Sequence, residues 1–506
     1  MWGIVDKPAG MFDRDFEWAE LTRFVTYDGR EPTLGVVSGR RRQGKTFLLD
    51  AVARATNGFM FTATETTEGD SLRQFGAALA RFLDEPTPLR FESWDEAIGR
   101  LLRIAAAGPT TVVLDEFPFL AKASPALPSI IQRELDPGAR ARNTPVRLLL
   151  CGSALSFMGR LLSGTAPLRG RAGLELVVPT LDYRLAAEFW EIDDPRAAAL
   201  AHAVVGGTPA YRREFSLGDT PAGLVDIDPW IVRAVLNPGR PLFREGRYLL
   251  AEEPELQDVG LYHSVLAAIA VGNAARGGIA DYLGRKSTDL AHPLSVLEDV
   301  GLIRREEDAF RRNRSVYRIA EPLITFYHAV IRPNWGDLER PGRAAQVWRR
   351  IRPTFLSKVM GPHFEDLCRE WCRWHASPET LGGIPRRVAA GQVNNPAART
   401  SHQVDAAVFG EPEAPGDDDG SASDRLLAIG EAKWSDVLDL RQLSRLAHIR
   451  DLLTAPGGAI RRSATGSSPV RLLLFGGAGF TDELRAAAAQ DDSVELIDLS
   501  RLYHGD

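Results

Sequence analysis

Residues 34–50 read LGVVSGRRRQGKTFLLD, and this stretch decides the fold of the first part of the chain. The apolar residues 34–37 predict a short strand, and residues 46–49 open a helix. Between them stands Gly39-x4-Gly44-Lys45-Thr46, which has the spacing of the G-x4-G-K-S/T phosphate loop. A strand, a glycine-containing loop and a helix in this order are the context that supports the motif.

The residue types of this loop explain the chemistry that we expect from it. Gly39 and Gly44 let the backbone turn around an anion, so that loop N–H groups and the helix N-terminus point at phosphates. Lys45 is expected to reach the β- and γ-phosphates of ATP, and Thr46 to bind Mg²⁺. The candidate nucleotide-binding residues are Gly39, Arg40, Arg41, Arg42, Gln43, Gly44, Lys45, Thr46, Phe47, Asp115 and Ser153.

Two acidic residues follow a later apolar stretch. Residues 111–118 read TVVLDEFP, and a continuous apolar run predicts a central strand that is buried on both faces. Asp115 is expected to bind Mg²⁺ through water, and Glu116 to polarise the attacking water. The alternative is an acidic pair that merely ends a surface strand.

Two further polar features lie beyond this pair. The stretch VRLLLC at 146–151 predicts a third strand, after which Ser153 could sense the γ-phosphate or simply be a turn serine. Residues 167–171 read PLRGR, where Arg171 is a candidate for supplying charge to the transition state, in cis or across a subunit boundary. Solvated loop arginines are an equal alternative.

Composition limits the classes of protein that remain. For a chain of 506 residues we expect three or four domains. The net charge of −6 argues against a simple basic nucleic-acid binder. The three cysteines form no disulfide framework, and Cys368, Cys372 and His375 lack a fourth zinc ligand, so packed thiols are the simpler interpretation. Without a signal segment or a long apolar run, we expect a cytoplasmic protein without a membrane partner.

The middle of the chain has a different pattern. Residues 261–272, 277–285 and 287–305 predict three helices, the third capped by Ser287 or Thr288, and residues 314–327 predict an extended ribbon. Three helices followed by a hairpin are the order of a winged helix. The arginines at 304, 305, 311, 312 and 314 could contact DNA phosphates, but such domains also serve as protein–protein spacers.

The C-terminal part begins near residue 345 with one or two helices that carry Glu365, followed by strands at 401–409 and 425–436, a helix and another strand. The acidic residues 411–424 between the first two strands are expected to form a disordered hairpin tip. Asp405 and Glu431 should therefore lie on neighbouring strands, and Lys433 on the same face as Glu431. Opposite charges on one side of a strand end form either a salt bridge or a site.

These motifs carry a resemblance to a known family. The segments FDRDFEWAEL (12–21), GRRRQGKTFLL (39–49), VVLDEF (112–117), LLLCGSALSFM (148–158), APLRGR (166–171) and GGTPAYRREF (206–215) resemble the archaeal-type P-loop ATPases of the AAA+/STAND group. The resemblance implies ATP binding, slow or regulated hydrolysis, and a helical lid after the ATPase core, to which the turn at 206–209 belongs. The family often has a tyrosine where Leu168 and Arg169 stand, which weakens a role for Arg169 more than one for Arg171.

The C-terminal pattern resembles the PD-(D/E)xK nucleases. Asp405 and Glu431 would share a divalent ion, Lys433 would orient water or stabilise negative charge, and Glu365 resembles an additional acid of such sites. Val404 stands where the family has proline, which costs the resemblance little. Some members of that superfamily bind nucleic acid without cutting it.

The sequence thus predicts an α/β multidomain protein. The expected domains are a P-loop NTPase core at 1–180, a helical lid at 181–250, a winged helix at 251–335 and a nuclease-like domain at 345–506. We expect an ATPase that uses ATP and Mg²⁺, with a Mg²⁺-dependent deoxyribonuclease as the second activity. DNA, a second copy of the chain or another protein are candidate partners, and the alternative is a regulatory switch or scaffold without cleavage.

Overall fold

The computed structural model describes residues 6–104, 109–136, 138, 143–252, 258–311, 313–395, 398–411, 424–455 and 469–506. The chain divides into two compact units. Unit 1 comprises Met1–Thr180 with the short segments Thr208–Tyr211 and Asp299–Gly301, and unit 2 comprises the remainder. Most of the acidic stretch 411–424, which was predicted to be disordered, and Arg312 lie outside the described residues.

Unit 1 is built on one parallel sheet. Its strands are β1 Thr33–Ser38, β2 Phe59–Thr62, β3 Thr110–Asp115, β4 Val146–Gly152 and β5 Ala172–Val177. Their order is β2-β3-β4-β1-β5, and every neighbouring pair is parallel. The α/β core predicted from the phosphate loop is therefore present, with β4 between the strand of the loop and the strand of Asp115.

Helices cover both faces of this sheet. They are α1 Asp15–Val25, α2 Lys45–Ala55, α3 Glu68–Phe82, α4 Trp94–Arg103, α5 Phe117–Ala123, α6 Leu127–Leu135 and α7 Leu155–Leu161. Strand β4 shows why both faces need cover, since Leu148 and Leu150 enter one core while Leu149 and Cys151 enter the other. Successive side chains of a strand point to opposite faces, so a continuous apolar run requires two helical layers.

The parallel arrangement brings the predicted site residues to one edge of the sheet. Ser38 at the end of β1 is opposite Gly152 at the end of β4, and Leu114 of β3 is opposite Leu150 of β4. The residues that follow these strands, Gly39, Glu116 and Ser153, consequently leave the sheet at the same edge. Ligands of open α/β sheets bind outside the carboxyl ends of the strands.

Unit 2 begins with helices. Its α-helices are α8 Tyr183–Phe189, α9 Pro195–Val205, α10 Ile227–Trp230, α11 Pro241–Ala251, α12 Val259–Ala270, α13 Arg276–Leu283, α14 Ala291–Asp299, α15 Pro322–Phe326, α16 Trp335–Leu338, α17 Ala344–Phe355, α18 Gly361–Trp374, α19 Pro378–Leu381, α20 Leu440–Thr454, α21 Asp482–Ala488 and α22 Leu499–His504. Short π-helical or 3-10 segments cover Tyr211–Phe215, Ile231–Val235, Ser287–Leu290, Tyr327–Ile331, Arg332–Asn334 and Leu356–Met360. Among the described residues, none of the helices combines the length and the apolar character needed to cross a membrane.

Unit 2 holds two sheets. The small one pairs β6 Ile303–Glu307 with β7 Ser315–Ile319, antiparallel. The large one contains β8 Arg387–Asn395, β9 Thr400–Gly410, β10 Arg425–Lys433, β11 Arg471–Gly476 and β12 Val494–Asp498, in the order β12-β11-β10-β9-β8. Strands β8 to β10 are antiparallel, and β10 to β12 are parallel. Helix α20 packs on the apolar face of this sheet through Leu446, Ile449 and Leu453.

Two expectations for the middle of the chain are wrong. The helix predicted over 287–305 begins as a 3-10 turn with Lys286, not Ser287 or Thr288, at its N-cap position, ends at Asp299, and is followed by β6. Gly301 explains the stop, because its φ of +71° is the left-handed conformation that ends a helix. The ribbon predicted over 314–327 is a strand only as far as Ile319, because Pro322 starts helix α15.

Candidate functional site

The backbone of the phosphate loop is held in a glycine-dependent conformation. Gly39 has a φ of +148°, and a Cβ at this position would lie 2.5 Å from the carbonyl oxygen of Val178. The N–H of Val178 donates to the carbonyl oxygen of Ser38 at 2.8 Å, so the chain after β5 closes over the start of the loop. Gly44, the N-cap of α2, has a φ of +86°. Both motif glycines therefore occupy conformations that other residues adopt only with strain.

Lys45 lies at the centre of this loop. Its side chain is buried, and its Nζ donates to the carbonyl oxygens of Gly39 and Arg40, each at 2.7 Å. Burial lowers the pKa of the Lys45 ammonium, while the charges of Glu116 and Asp115 act in the opposite direction. The lysine thus folds back across the opening of the loop, where it is close to the edge that carries the acidic pair.

The acidic pair and the loop threonine meet at the sheet edge. Thr46 Oγ1 donates to Asp115 Oδ2 at 2.8 Å, and the Glu116 backbone N–H donates to Asp115 Oδ1 at 3.0 Å. Ser153 Oγ donates to Glu116 Oε2 at 3.4 Å. Bonds between residues that are 69 and 37 positions apart in the sequence therefore form one connected group. The structure brings together the residues predicted for phosphate, metal and water binding in unit 1.

The electrostatics of Glu116 fit a proton acceptor. Burial raises the pKa of its carboxyl, the Asp115 charge raises it further, and Arg41, Lys45 and the Ser153 hydroxyl oppose the rise. The backbone of Glu116 has a φ of +52°, which is uncommon for a residue other than glycine. Such conformations concentrate at functional sites because the surrounding structure must hold them in place.

The remaining loop residues have distinct surroundings. Gln43 is buried, and its Nε2 donates to Thr208 Oγ1 at 3.2 Å. Sequence reasoning did not find this bond, because it joins the loop to a turn that is 165 positions away. Arg42 has a φ of +68°. Phe47, the third residue of α2, is 47% exposed. Arg41 lies close enough to Glu116 for its charge to act on that carboxylate.

Arg171 does not lie at this edge of its own sheet. It precedes β5, whose first residue, Ala172, is opposite Leu34 at the start of β1. At about 3.3 Å per residue, five residues of strand separate it from the phosphate loop by about 16 Å. Its guanidinium pairs with Asp136 at 2.5 Å. In this structure Arg171 therefore cannot supply charge to its own loop, which leaves two alternatives, a role across a subunit boundary or a loop arginine without a part in catalysis.

The donor atoms near the loop suit Mg²⁺. The ion prefers oxygen ligands, and the Thr46 hydroxyl and the Asp115 carboxylate supply two oxygens that are already 2.8 Å apart. Gly39 and Gly44 themselves carry no side chain beside the loop backbone, where phosphate groups would lie. The residues present therefore fit both ATP and its magnesium ion.

A second group of charged residues lies in unit 2. Asp405 on β9 and Glu431 on β10 are both buried, with 4% exposure each. Asp405 Oδ2 accepts from the Ala432 N–H at 2.9 Å, and Oδ1 accepts from Gln403 Nε2 at 2.8 Å. The predicted neighbouring strands are confirmed by the antiparallel pairing of β9 with β10. Buried carboxylates need such partners, because an unpaired buried charge is strongly unfavourable.

Two cations neutralise this carboxylate pair. Lys433 Nζ lies 3.2 Å from Glu431 Oε1 and 3.9 Å from Asp405 Oδ2. Arg445 on α20 contacts the same Glu431 oxygen at 2.7 Å. Sequence reasoning missed Arg445. Gln442 is a helix cap, since its Oε1 accepts the Asp439 N–H at 2.9 Å.

Glu365 lies near this pair but has a different environment. Burial, and next the charge of Asp405, raise the pKa of Glu365 to about 7. Arg318 of the small sheet lies 4.0 Å from its carboxylate. Within the described residues, there is no group of three histidine, cysteine, aspartate or glutamate side chains arranged to hold a metal ion. The three predicted ligands Glu365, Asp405 and Glu431 are thus not arranged as one metal site in this structure.

The lack of a three-ligand metal-binding group among the described residues also concerns the two cysteines of α18. Cys368 and Cys372 are buried thiols on α18, and burial raises the pKa of each. Burial keeps these thiols protonated, whereas zinc binds the thiolate. The described residues around them do not supply a zinc-binding set, so packed thiols are the better interpretation.

Two of the arginines proposed to contact DNA, Arg304 and Arg311, make contacts within unit 2. Arg304 NH2 lies 2.8 Å from Asp366 Oδ2, and its Nε lies 2.7 Å from Glu306. Arg311 NH1 donates to Gln392 Oε1 at 3.3 Å. Phosphate contacts by Arg304 or Arg311 in this arrangement would have to replace these bonds.

No family model matches the chain. An uncharacterized protein of Methanocaldococcus jannaschii is 29% identical over 309 residues, which are 60% of this chain. The match spans 65% of the length of that protein, so roughly a third of the relative has no counterpart in the match.

Several solved structures are similar to parts of the chain. The Walker-type ATPase of Pyrococcus abyssi aligns with a TM-score of 0.47 at 20% identity, over 63% of this chain and 96% of its own. The ORC2 protein of Aeropyrum pernix in its ADP form gives 0.39 at 13%, over 67% and 98%. Cdc6p of Pyrobaculum aerophilum gives 0.31 at 15%, over 67% and 97%. These scores are too low to establish a shared fold, and the interpretation rests on the geometry of the chain itself.

Proposed function

We propose that this chain is an ATP-binding and ATP-hydrolysing switch. The observation that carries the proposal is the contact of Thr46 with Asp115 at 2.8 Å, beside Lys45 in a loop whose glycines have positive φ. A lysine, a hydroxyl and a carboxylate at the carboxyl edge of a parallel sheet form the set that nucleotide hydrolysis requires.

Each residue has a role that follows from its position. Lys45, now bonded to two loop carbonyls, would turn to the β- and γ-phosphates of ATP. Thr46 and Asp115 would hold Mg²⁺, which supplies positive charge that offsets the charge of the phosphate groups. Loop N–H groups and the N-terminus of α2 add further positive potential.

Glu116 is the proposed acceptor of the proton from the attacking water. Burial raises the pKa of its carboxyl above the ordinary value for glutamate, which increases its strength as a base. Ser153 donates to the same carboxylate and would orient it, so Ser153 is a positioning residue. Arg171, which lies at the other edge of its own sheet, is proposed to act on the nucleotide of a second copy of the chain.

The experiment is a measurement of phosphate release from ATP by the purified full chain and by Glu116→Gln. The proposal expects release by the wild type and at least a hundredfold loss in the variant, with ATP binding retained. Glu175→Gln, an exposed glutamate on β5, is the matched control and should behave as the wild type. Equal rates in all three proteins would contradict the assignment of Glu116.

We further propose that the C-terminal domain, residues 345–506, acts on DNA as a metal-dependent nuclease. Two buried carboxylates and Lys433 meet on adjacent strands, and this arrangement favours the idea. The observation against it is the lack of a three-ligand group among the described residues. The alternative is a switch or scaffold that binds DNA or protein without cutting it.

Nicking of supercoiled plasmid by the full chain with Mg²⁺ or Mn²⁺ distinguishes these two possibilities. Glu431→Ala should abolish nicking if the domain is a nuclease, whereas Glu483→Ala, an exposed glutamate on α21, should have no effect. If the wild type does not cut, the second possibility stands.

The proposal extends to the other parts of the chain. Residues 181–250 would form a lid and residues 251–335 a winged helix whose positions respond to the nucleotide. A second copy of the chain, another protein or DNA would sense that response. The three free cysteines agree with a cytoplasmic location, where thiols stay reduced.

A further inference from the structure

The tip of the β6–β7 hairpin, residues 308–311, lies against β8, the edge strand of the large sheet in unit 2. The Ala309 N–H donates to the carbonyl oxygen of Ala390 on β8 at 2.9 Å. Asp308 Oδ2 accepts from the Gln392 N–H at 3.3 Å. Edge strands carry backbone groups without a neighbouring strand, so the tip supplies partners that β8 would otherwise take from water or another chain.

Strand β8 has a shape that admits the tip. Its register against β9 shifts between Ala389 and Gly391, as it does at a β-bulge. A Cβ at Gly391 would lie 2.8 Å from Ala309 Cβ and 2.8 Å from Phe310 Cδ2. Phe310 packs against the core of the sheet, with its ring centroid 6.1 Å from that of Phe409. A side chain at position 391 would therefore displace the tip from β8.

The strands of the hairpin present two arginines to an acidic pair on α18. Arg304 of β6 and Arg318 of β7 are directly opposite each other in the antiparallel register. Arg304 NH2 lies 2.8 Å from Asp366 Oδ2, and Arg318 NH2 lies 4.0 Å from Glu365 Oε2. The Arg304 side chain is still 45% exposed, so an anion from solvent could reach it. The two carboxylates thus occupy guanidinium groups that would equally suit phosphate.

Arg311 at the tip is held by uncharged groups of the same domain. Its NH1 donates to Gln392 Oε1 at 3.3 Å, and its NH2 donates to Asn394 Oδ1 and to Ser401 Oγ. Hydrogen bonds between two ionised groups are stronger than those in which one partner is neutral. A phosphate would therefore be a stronger partner for Arg311 than the amides and the hydroxyl that hold it here.

We infer that the docked hairpin is an autoinhibitory contact, in which the phosphate backbone of duplex DNA competes with α18 and β8 for Arg304, Arg311 and Arg318. DNA binding by the hairpin then requires that its tip leave β8. The apparent affinity for DNA is lowered by the fraction of molecules in which the tip is free. The inference rests on the DNA binding proposed for this chain and concerns how that binding is regulated.

The test is DNA binding by the full chain, measured as the fluorescence anisotropy of a labelled duplex in EDTA, which prevents metal-dependent cutting. Gly391→Val places a side chain where the tip lies and leaves every hairpin arginine in place. Gly336→Val on α16 is the matched control, because nothing lies within 4 Å of a Cβ at that position. A double variant, Gln392→Ala with Asn394→Ala, frees the tip by a second route, since it removes two partners of Arg311. Thermal unfolding of each variant confirms that the protein is folded.

The expected result is a gain of affinity that depends on the hairpin arginines. If the tip is docked in about nine of ten molecules, freeing it should tighten DNA binding about tenfold in Gly391→Val. The double variant should also bind more tightly than the wild type, and Gly336→Val should bind as the wild type does. Adding Arg304→Gln, Arg311→Gln and Arg318→Gln to Gly391→Val should remove the gain. It should also lower the slope of log affinity against log salt by about 2.7, because each lost phosphate contact contributes about 0.9.

Three results would overturn the inference, and they differ in what else they contradict. Clear DNA binding that is equally tight in the wild type, in Gly391→Val and in the double variant would refute the autoinhibition but leave DNA binding by the chain intact. A gain that persists without the three arginines would refute their part in it. No DNA binding by any of the proteins would refute both the autoinhibition and the proposed DNA binding.

Discussion

Replacing Lys45 by alanine separates the two states in which this side chain would act. Without nucleotide, Lys45 is a buried cation that donates to two loop carbonyls at 2.7 Å. With ATP, the same ammonium would contact phosphate oxygens. The substitution should therefore have very different effects on the stability of the protein and on its affinity for ATP.

The magnitudes follow from these contacts. In the free protein, the loss of the two hydrogen bonds is largely offset, because the charge no longer has to be buried. That burial already lowers the pKa of Lys45. We expect a change in the free energy of unfolding within about 1 kcal/mol. Hydrogen bonds to charged groups contribute about 1.5–3 kcal/mol, so losing the phosphate contacts should cost about 3 kcal/mol, roughly a hundredfold in Kd.

The assay is chemical denaturation with and without Mg²⁺-ATP. At an ATP concentration of about 100 times the wild-type Kd, bound nucleotide stabilises the wild type by about 2.7 kcal/mol. A hundredfold weaker Kd reduces this stabilisation to about 0.4 kcal/mol in Lys45→Ala. Lys122→Ala, an exposed lysine that pairs with Glu65, is the control and should keep the full effect. Equal stabilisation of Lys45→Ala and the wild type by ATP would refute the assignment of the loop.

Three further predictions concern other parts of the fold. Gly39→Ala places a Cβ 2.5 Å from the Val178 carbonyl oxygen at a φ of +148°, so ATP should no longer stabilise this variant against unfolding. Gly159→Ala is the control and should respond to ATP as the wild type does, because nothing lies within 4 Å of a Cβ at that position. A normal response of Gly39→Ala would be inconsistent with the loop geometry. Phe75→Ala removes a fully buried ring and should lower the free energy of unfolding, measured in urea, by about 3–5 kcal/mol. A loss below about 1 kcal/mol would contradict the place of Phe75 in the core. Burial raises the pKa of Glu370 to about 7, so the folded state favours the protonated carboxyl. The free energy of unfolding should therefore fall by at most about 3 kcal/mol as pH rises from about 4.5 to 7. Glu370→Gln should remove this part of the pH dependence in urea titrations, and an unchanged dependence of the unfolding free energy on pH would count against the shift.

Sequence reasoning worked best where local chemistry leaves little choice. The phosphate loop requires glycine conformations at Gly39 and Gly44, and the apolar strands before it and before Asp115 have no polar face, so their central position in a sheet could be predicted. The pairing of β9 with β10 was also predictable, because both strands are apolar and a turn-forming segment joins them.

The strands that were missed lie at or near sheet edges. Strands β5 and β8 are edge strands, and β8 alternates small, polar and apolar residues without a strong β pattern. Their strand conformation depends on hydrogen bonds to a neighbour that is distant in sequence, which no local pattern encodes. The end of α14 at Asp299 was missed because apolar residues continue past Gly301 at helical spacing.

Site residues were missed for a similar reason. Arg445 reaches Glu431 only because α20 packs on the sheet that carries β10, and this packing is a tertiary feature. Arg171 was assigned from its place in a motif, whereas the register of β5 against β1 puts it at the opposite edge. Spacing along the chain indicates which residues share an element, but not which end of a sheet they reach.

The central claim is that the loop at 39–46 binds ATP and that Glu116 drives its hydrolysis. The most direct measurement is the identity of the nucleotide that stays bound after incubation with Mg²⁺-ATP and removal of free nucleotide. The account predicts bound ADP on the wild type and bound ATP on Glu116→Gln. Bound ATP on both proteins would contradict hydrolysis at this site, and no bound nucleotide on either would contradict the phosphate loop itself.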